Sequence, residues 1–349
     1  MKLLKMKKKV LIIGPGRKTE GGITSVIMEY ESNELWHTHR CKWIETYNNK
    51  NNFLKIIYFV SGFFQFLLFL PFCRIVHIHF SWKLSVIRKL PFFIFAKLFR
   101  KKIIVHLHSG SDPIIDSGVK GIYQYFFKNA DITILLAHQI KDQLLKVFVF
   151  KKIIVIYNPV LVKPETDNIK KQQKILFAGH INDQKGIFDL VKAFSIICNQ
   201  NPSWKLEIAG SGNIQKLHDL IKTLGIAEQT EFLGWIKGKE KNMVFKSCSI
   251  FCLPSYTEGF PMSVLEAWAY KLPVITTAVG GLQDVLEHGK NALVFTPGDI
   301  NALSENLQEL INNELLRNKL GEASLQLVNS TFNINSVLKQ LDDLYCTLS

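Results

Sequence analysis

The sequence predicts an α/β protein made of two doubly wound domains. Three observations carry that expectation. At 349 residues the chain is longer than one core usually serves. Short apolar runs alternate with helical patterns along most of its length. The alternation then restarts after a polar stretch, 163–174, that reads as a linker. The first domain is expected over 1–162 and the second over 172–330. A helical pattern at 333–349, with Val337, Leu338, Leu341, Leu344 and Tyr345 at helical spacing, is expected to return and pack on the first.

The basic start runs into VLII at 10–13, which is too short for a signal-peptide core and reads as a first buried strand. A Gly-rich loop follows, GPGRKTEGG at 14–22, before a helix from about Ile23. Its spacing is not G-x-G-x-x-G, so a dinucleotide fingerprint and a nicotinamide dehydrogenase are poor matches. Residues 56–73 hold eighteen positions without a charge. They read in three ways: a membrane span, a face dipping into the membrane, or a buried helix. Further strands are expected at 75–79, 103–108, 131–135 and 153–157, with a helix at 85–99. Strand 103–108 ends in His106-Leu-His108-Ser-Gly110. Side chains alternate along a strand, so both histidines point the same way, and His108 sits at the tip where ligands collect.

Charge is uneven. Residues 1–165 carry 26 Lys+Arg against 10 Asp+Glu, while 166–349 carry 17 against 19. The first half therefore suits an anionic partner. No zinc-finger spacing or RNP-like aromatic motif points to nucleic acid. Arg88, Lys89, Lys97, Arg100, Lys101 and Lys102 surround the apolar run PFFIF at 91–95, a pattern that suits an anionic membrane surface. Six scattered cysteines support neither a disulfide framework nor a zinc site. They read as reduced thiols of a cytosolic protein.

The second half has expected strands at 175–178, 204–209, 230–233, 250–253, 273–276 and 292–295. Its first loop carries His180, Lys185 and Gly186, and a Lys there is placed to neutralise a diphosphate. Gly210-Ser-Gly212 is a second close-approach turn. The organising stretch is 250–281, a strand, a turn-rich loop, a helix from about Met262 and another strand. Glu258 lies in the loop and Glu266 one turn into the helix. The helix end suits phosphate and the carboxylates suit hydroxyls, a combination found in a nucleotide sugar.

These residues resemble the retaining GT-B glycosyltransferases of family 4, also called group 1. The resemblance covers nearly the whole chain and is strongest over 175–299. It rests on Glu258-Gly-Phe-Pro-Met-Ser263 with Glu266, on Lys185-Gly186, Gly210-Ser-Gly212 and Phe232-Leu-Gly-Trp235, and on Gly280-Gly281-Leu-Gln-Asp284. It implies two Rossmann-like domains facing a cleft. It implies that Glu258, His108 and Lys185 act at the reacting centre, Glu258 and His108 on the donor sugar and Lys185 on the diphosphate. It implies that Gly259, Phe260 and Pro261 form a wall under the donor, and that Met262 and Ser263 offer backbone N–H groups. Glu266 would hold the ribose. Gly21 and Gly22 would let ligands approach, and His180 and Gly210 would line the donor site. The family often has Arg where this chain has His180, and Glu where it has Asp284. Arg17 or Lys18 is the expected substitute for the missing Arg.

The implied function is retaining transfer from a nucleoside-diphosphate sugar to a growing glycan in bacterial surface polysaccharide synthesis. The acceptor is expected to be polyprenyl-diphosphate-linked, and the enzyme peripheral on the inner face of the plasma membrane. No cofactor is expected beyond the donor substrate, and no metal, because no D-x-D stretch occurs. Two other readings stay open: an epimerase or hydrolase on the same fold, and a non-catalytic membrane-docked partner of a glycan-assembly complex.

Overall fold

The computed structural model describes residues 10–48, 51–162 and 169–348. The basic start and residues 163–168 of the polar stretch lie outside them. The chain divides into two units, Met1–Pro159 with Ile334–Ser349, and Val160–Asn333.

The first unit runs β1 (Val10–Gly14), α1 (Gly22–Glu31), α2 (Glu34–Thr38), β2 (Lys42–Glu45), α3 (Asn52–Phe69), β3 (Ile75–Phe80) and α4 (Lys83–Leu98). It continues with β4 (Lys102–Leu107), α5 (Asp112–Ile115), α6 (Lys120–Asn129), β5 (Ile132–Leu135), α7 (His138–Leu145) and β6 (Ile153–Val155). Its six strands pair in parallel in the order β2-β1-β3-β4-β5-β6. Strands β1 and β3 are buried throughout, which is why they read as unbroken apolar or near-apolar runs. Edge strand β2 is four residues long with a charge at each end, so no apolar run marks it in the sequence.

The second unit runs β7 (Lys174–Ala178), α8 (Ile187–Ile197), β8 (Lys205–Ala209), α9 (Ile214–Thr223), β9 (Thr230–Gly234), α10 (Gly238–Ser247) and β10 (Ile250–Leu253). Then come α11 (Met262–Ala269), β11 (Val274–Thr277), β12 (Leu293–Phe295), α12 (Ile300–Asn312) and α13 (Glu314–Leu327). Its strand order is β12-β11-β10-β7-β8-β9, again all parallel. The order reverses between β7 and β10. A crevice opens at the carboxyl ends of the strands at such a switch point. Helix α14 (Ile334–Leu348) belongs to the first unit, where Asp342 bonds His39 at 2.5 Å and Tyr345 bonds His77 at 2.6 Å.

Helix α3 corrects two of the readings offered for 56–73. It is not a buried helix: Phe53, Ile56, Val60, Phe64 and Leu68 form an exposed stripe at helical spacing. Nor does it cross a bilayer, although Phe53–Phe72 is long and apolar enough to do so. It joins β2 to β3, and both of those strands pair with β1, so crossing would tear the sheet. Its inner face packs closely. A Cβ on Gly62 would lie 2.3 Å from the Glu45 carbonyl oxygen, and Phe63 and Phe66 meet Phe92 of α4 at 5.3 and 5.1 Å. Helix α4 also exposes Leu84, Ile87, Ile94 and Leu98. Lys89 is not among the cations around this face, because it is turned inward and buried, with its Nζ on Thr46 Oγ1.

Candidate active site

The site residues expected from the sequence fall into two groups, one in each unit. In the second unit they collect at the switch point. The loop after β7 holds His180 and then a short turn, Asp183–Lys185, capped by the Asn182 side chain, which accepts from Lys185 N at 2.9 Å. Gly186 closes that turn with φ 67°, and a Cβ there would lie 2.0 Å from the Pro254 carbonyl oxygen. Glycine is thus required twice over, for the left-handed backbone and for contact between the two loops. The loop after β10 carries Ser255, Glu258, Gly259, Phe260 and Pro261.

Loop contact brings two charged groups together across 73 residues. Lys185 Nζ donates to Glu258 Oε1 at 2.5 Å, and Ser255 Oγ donates to the same oxygen at 2.7 Å. Glu258 is buried, so it depends on these partners. Ser255 was not singled out in the sequence. The signal available was its position three residues ahead of Glu258 at a strand's carboxyl end.

Pro261 precedes α11, whose first turn has no side-chain cap, so the N–H groups of Met262 and Ser263 face out of the helix end. Phe260 is buried against Phe332, with ring centroids 5.1 Å apart, and forms part of the wall. Gly280, at φ 56°, lies so close to the Glu258 carbonyl that a Cβ would sit 2.0 Å from it, and Gly281 N donates to Gly259 O at 2.7 Å. The Gly-Gly turn therefore braces the Glu258 loop. Glu266 lies one turn along α11 and accepts from Lys241 Nζ of α10 at 2.8 Å. Lys241 belongs to no motif, so the sequence carries no local signal for its contact with Glu266. Gly210 follows β8 and donates to Gly234 O at 2.8 Å, and the His180 ring lies 5.5 Å from Trp235.

In the first unit, Gly21 has φ 141° and precedes α1, which Gly22 opens without a side-chain cap. His108 follows β4 and hydrogen-bonds His79 through Nε2 at 2.9 Å. Burial lowers the pKa of His108. Arg17, one of the two expected substitutes for the missing Arg, is paired in this structure. Its guanidinium bonds Glu31 through Nη2 at 2.5 Å and Glu45 through Nη1 at 2.6 Å, over the Trp43 ring.

Comparison with known proteins bears on the second unit most directly. Residues 162–326 match the family model for glycosyl transferases, group 1. They belong to that family. The group 1 unit thus accounts for nearly all of Val160–Asn333. An uncharacterized glycosyltransferase of Methanocaldococcus jannaschii is 34% identical over 226 residues, 63% of this chain and 61% of that one. The capsular polysaccharide biosynthesis glycosyltransferase CapM of Staphylococcus aureus is 28% identical over 195 residues, 53% of this chain and 51% of that one. The chain thus spans about half to three-fifths of the length of these curated relatives. Among solved structures, Anabaena HepE with UDP-glucose matches at TM-score 0.82 and 15% identity, covering 97% of this chain and 99% of that one. That match gives the fold class, two Rossmann-like units of the GT-B type.

Proposed function

We propose that this group 1 glycosyltransferase is a retaining enzyme that needs no metal. It takes sugar from a nucleoside-diphosphate sugar and adds it to a lipid-linked glycan of a bacterial surface polysaccharide. The observation that carries the reading is the Lys185–Glu258 pair beside the open end of α11. Breaking the bond between sugar and diphosphate leaves positive charge on the sugar and negative charge on the leaving group. The Lys185 ammonium and the N–H groups of Met262 and Ser263 suit the leaving charge, each oriented donor being worth roughly 3–4 kcal/mol. These donors can do the task otherwise given to a divalent cation. Glu258 would accept from donor-sugar hydroxyls and Glu266 from the ribose, with Lys241 orienting the second carboxylate. Gly210 and His180 would border the nucleotide, and Gly21, Gly22 and His108 would serve from the first unit.

The acceptor and location rest on the first unit. Its basic surplus and the exposed apolar stripes of α3 and α4 suit an anionic bilayer, so the enzyme would sit peripherally on the inner face of the plasma membrane. A polyprenyl-diphosphate-linked glycan lies at such a surface. CapM, named for capsular polysaccharide biosynthesis, supports the pathway class, and HepE, solved with UDP-glucose, makes uridine nucleotides the first to try.

The test is a thermal-shift screen with UDP, GDP, ADP and their sugars, followed by turnover of the best donor on a lipid-linked acceptor. Glu258→Ala is expected to abolish transfer while the free nucleotide still raises the melting temperature. No shift with any nucleotide, or near-normal turnover in Glu258→Ala, would overturn the reading.

A further inference from the structure

Strands β3 and β4 each carry a His-x-His repeat, His77 and His79 on one, His106 and His108 on the other. The register sets His79 beside His106, so all four imidazoles share one face of the sheet. Successive ring centroids lie close, at 4.3 Å for His77–His79, 4.9 Å for His79–His106 and 4.2 Å for His106–His108. His77, His79 and His106 are fully buried, while His108 is half-buried at the strand tip. Two hydrogen bonds join the ladder to its ends, His77 Nδ1 to Tyr345 Oη at 2.6 Å and His79 Nδ1 to His108 Nε2 at 2.9 Å. Among the described residues, four buried ring nitrogens of the ladder have no partner: His77 Nε2, His79 Nε2 and both of His106.

Orphaned imidazole nitrogens raise the question of a metal. His77, His79 and His106 offer ligand atoms within 4.8 Å of one another. The His77 and His106 rings lie 8° from parallel, with centroids 5.4 Å apart. The group includes no carboxylate to balance a dication's charge. A stacked ladder of neutral imidazoles fits these facts better than a dication. Burial takes His77 down to about 3 and holds His79 and His106 well below their ordinary value.

A neutral imidazole carries one proton, and a hydrogen bond decides which nitrogen holds it. The His79–His108 bond can run either way. With His108 as donor, His79 would accept at Nδ1 and keep its proton on Nε2, a buried N–H with nothing to receive it. With His79 as donor, Nε2 is a bare lone pair. Among buried backbone groups an orphaned N–H is rarer than an unsatisfied acceptor, and the same preference applied to the His79 ring makes it the donor. We infer that His79 is a positioning residue: its Nδ1–H donates to His108 Nε2 and fixes His108 in the tautomer protonated on Nδ1. His108 then meets its ligand as an N–H donor, suited to a hydroxyl oxygen of the donor sugar. The last step rests on the proposed role of His108, while the tautomer does not.

The test uses the whole chain. In protein labelled with ¹⁵N at histidine, long-range ¹H–¹⁵N spectra are expected to show His108 protonated at Nδ1 only. His79→Phe keeps a stacked ring but removes the donor, and is expected to leave His108 as a tautomer mixture. Its kcat should fall about tenfold, with the KM for acceptor unchanged. His79→Asn places an amide N–H where Nδ1 stood and is expected to restore most of both. His108 protonated at Nε2 in the unsubstituted protein would overturn the inference without any variant. Equal losses in His79→Phe and His79→Asn would overturn it too, as would one zinc ion bound per chain and lost in His106→Ala. If His108→Ala leaves turnover intact while the tautomer result stands, the relay survives and the sugar-contact reading of His108 falls.

Discussion

Lys185 and Glu258 are each half of one device. The ammonium sits 2.5 Å from a buried carboxylate that also accepts from Ser255, so removing either partner misplaces the other. Residues that act as a unit lose function non-additively. Lys185→Ala is expected to lower kcat/KM at least 100-fold, as is typical for loss of an oriented donor. The Lys185→Ala, Glu258→Gln double variant should be within about threefold of the worse single variant. Losses that multiply in a double-mutant cycle would mean that the two side chains serve separate steps. The sequence named both residues because each sits in a local pattern. It did not name Ser255 or Lys241, whose roles depend on partners that only loop contact or helix packing supplies.

At the scale of elements, β3 and β4 bury a polar ladder inside an apolar sheet. Each buried histidine has a folded-state pKa below its unfolded value near 6.5. Between those values the unfolded chain binds a proton that the folded chain refuses. Stability is therefore complete above about pH 6.5 and is lost as pH falls toward about 3. Each such group costs about 1.4 kcal/mol per pH unit in that window. His106 has no hydrogen-bond partner on either nitrogen among the described residues, so an apolar replacement sacrifices none there. His106→Leu is expected to stabilise the fold by about 2 kcal/mol more at pH 5 than at pH 8, read from denaturant melts at both. The same increment at both pH values would show that the ring is not held neutral. The His-x-His repeats were visible in the sequence as strand residues. Their mutual stacking was not, because the register of β3 against β4 sets it.

Across the whole molecule, basic surplus and exposed apolar surface coincide in the first unit. The stripes on α3 and α4 include Phe64, Leu68, Leu84 and Leu98, all more than 60% exposed. Apolar area of this kind, with basic residues such as Lys83 and Arg100 exposed close by in the chain, is what an interfacial surface requires. The full chain is expected to float with anionic vesicles at low salt and to be partly released as salt screens the attraction. Phe64→Glu with Leu68→Glu should abolish flotation and leave the melting temperature within about 2 °C, because neither side chain is in the core. Flotation unchanged by that pair would move the contact away from α3.

Sequence alone determined the two βα series, the motif loops and the asymmetry of charge. Each of these is local: burial on both faces demands continuous apolar strands, and tight turns demand glycine. The family resemblance drew on the same local features. Tertiary structure alone decided that 56–73 lies against a sheet whose pairing rules out a crossing, and that Lys89 points inward. It also decided that Arg17 is neutralised by Glu31 and Glu45. Those outcomes depend on which strands become neighbours and which helix face turns toward them. Strand order is set by packing between residues far apart in the chain, and no local pattern encodes it.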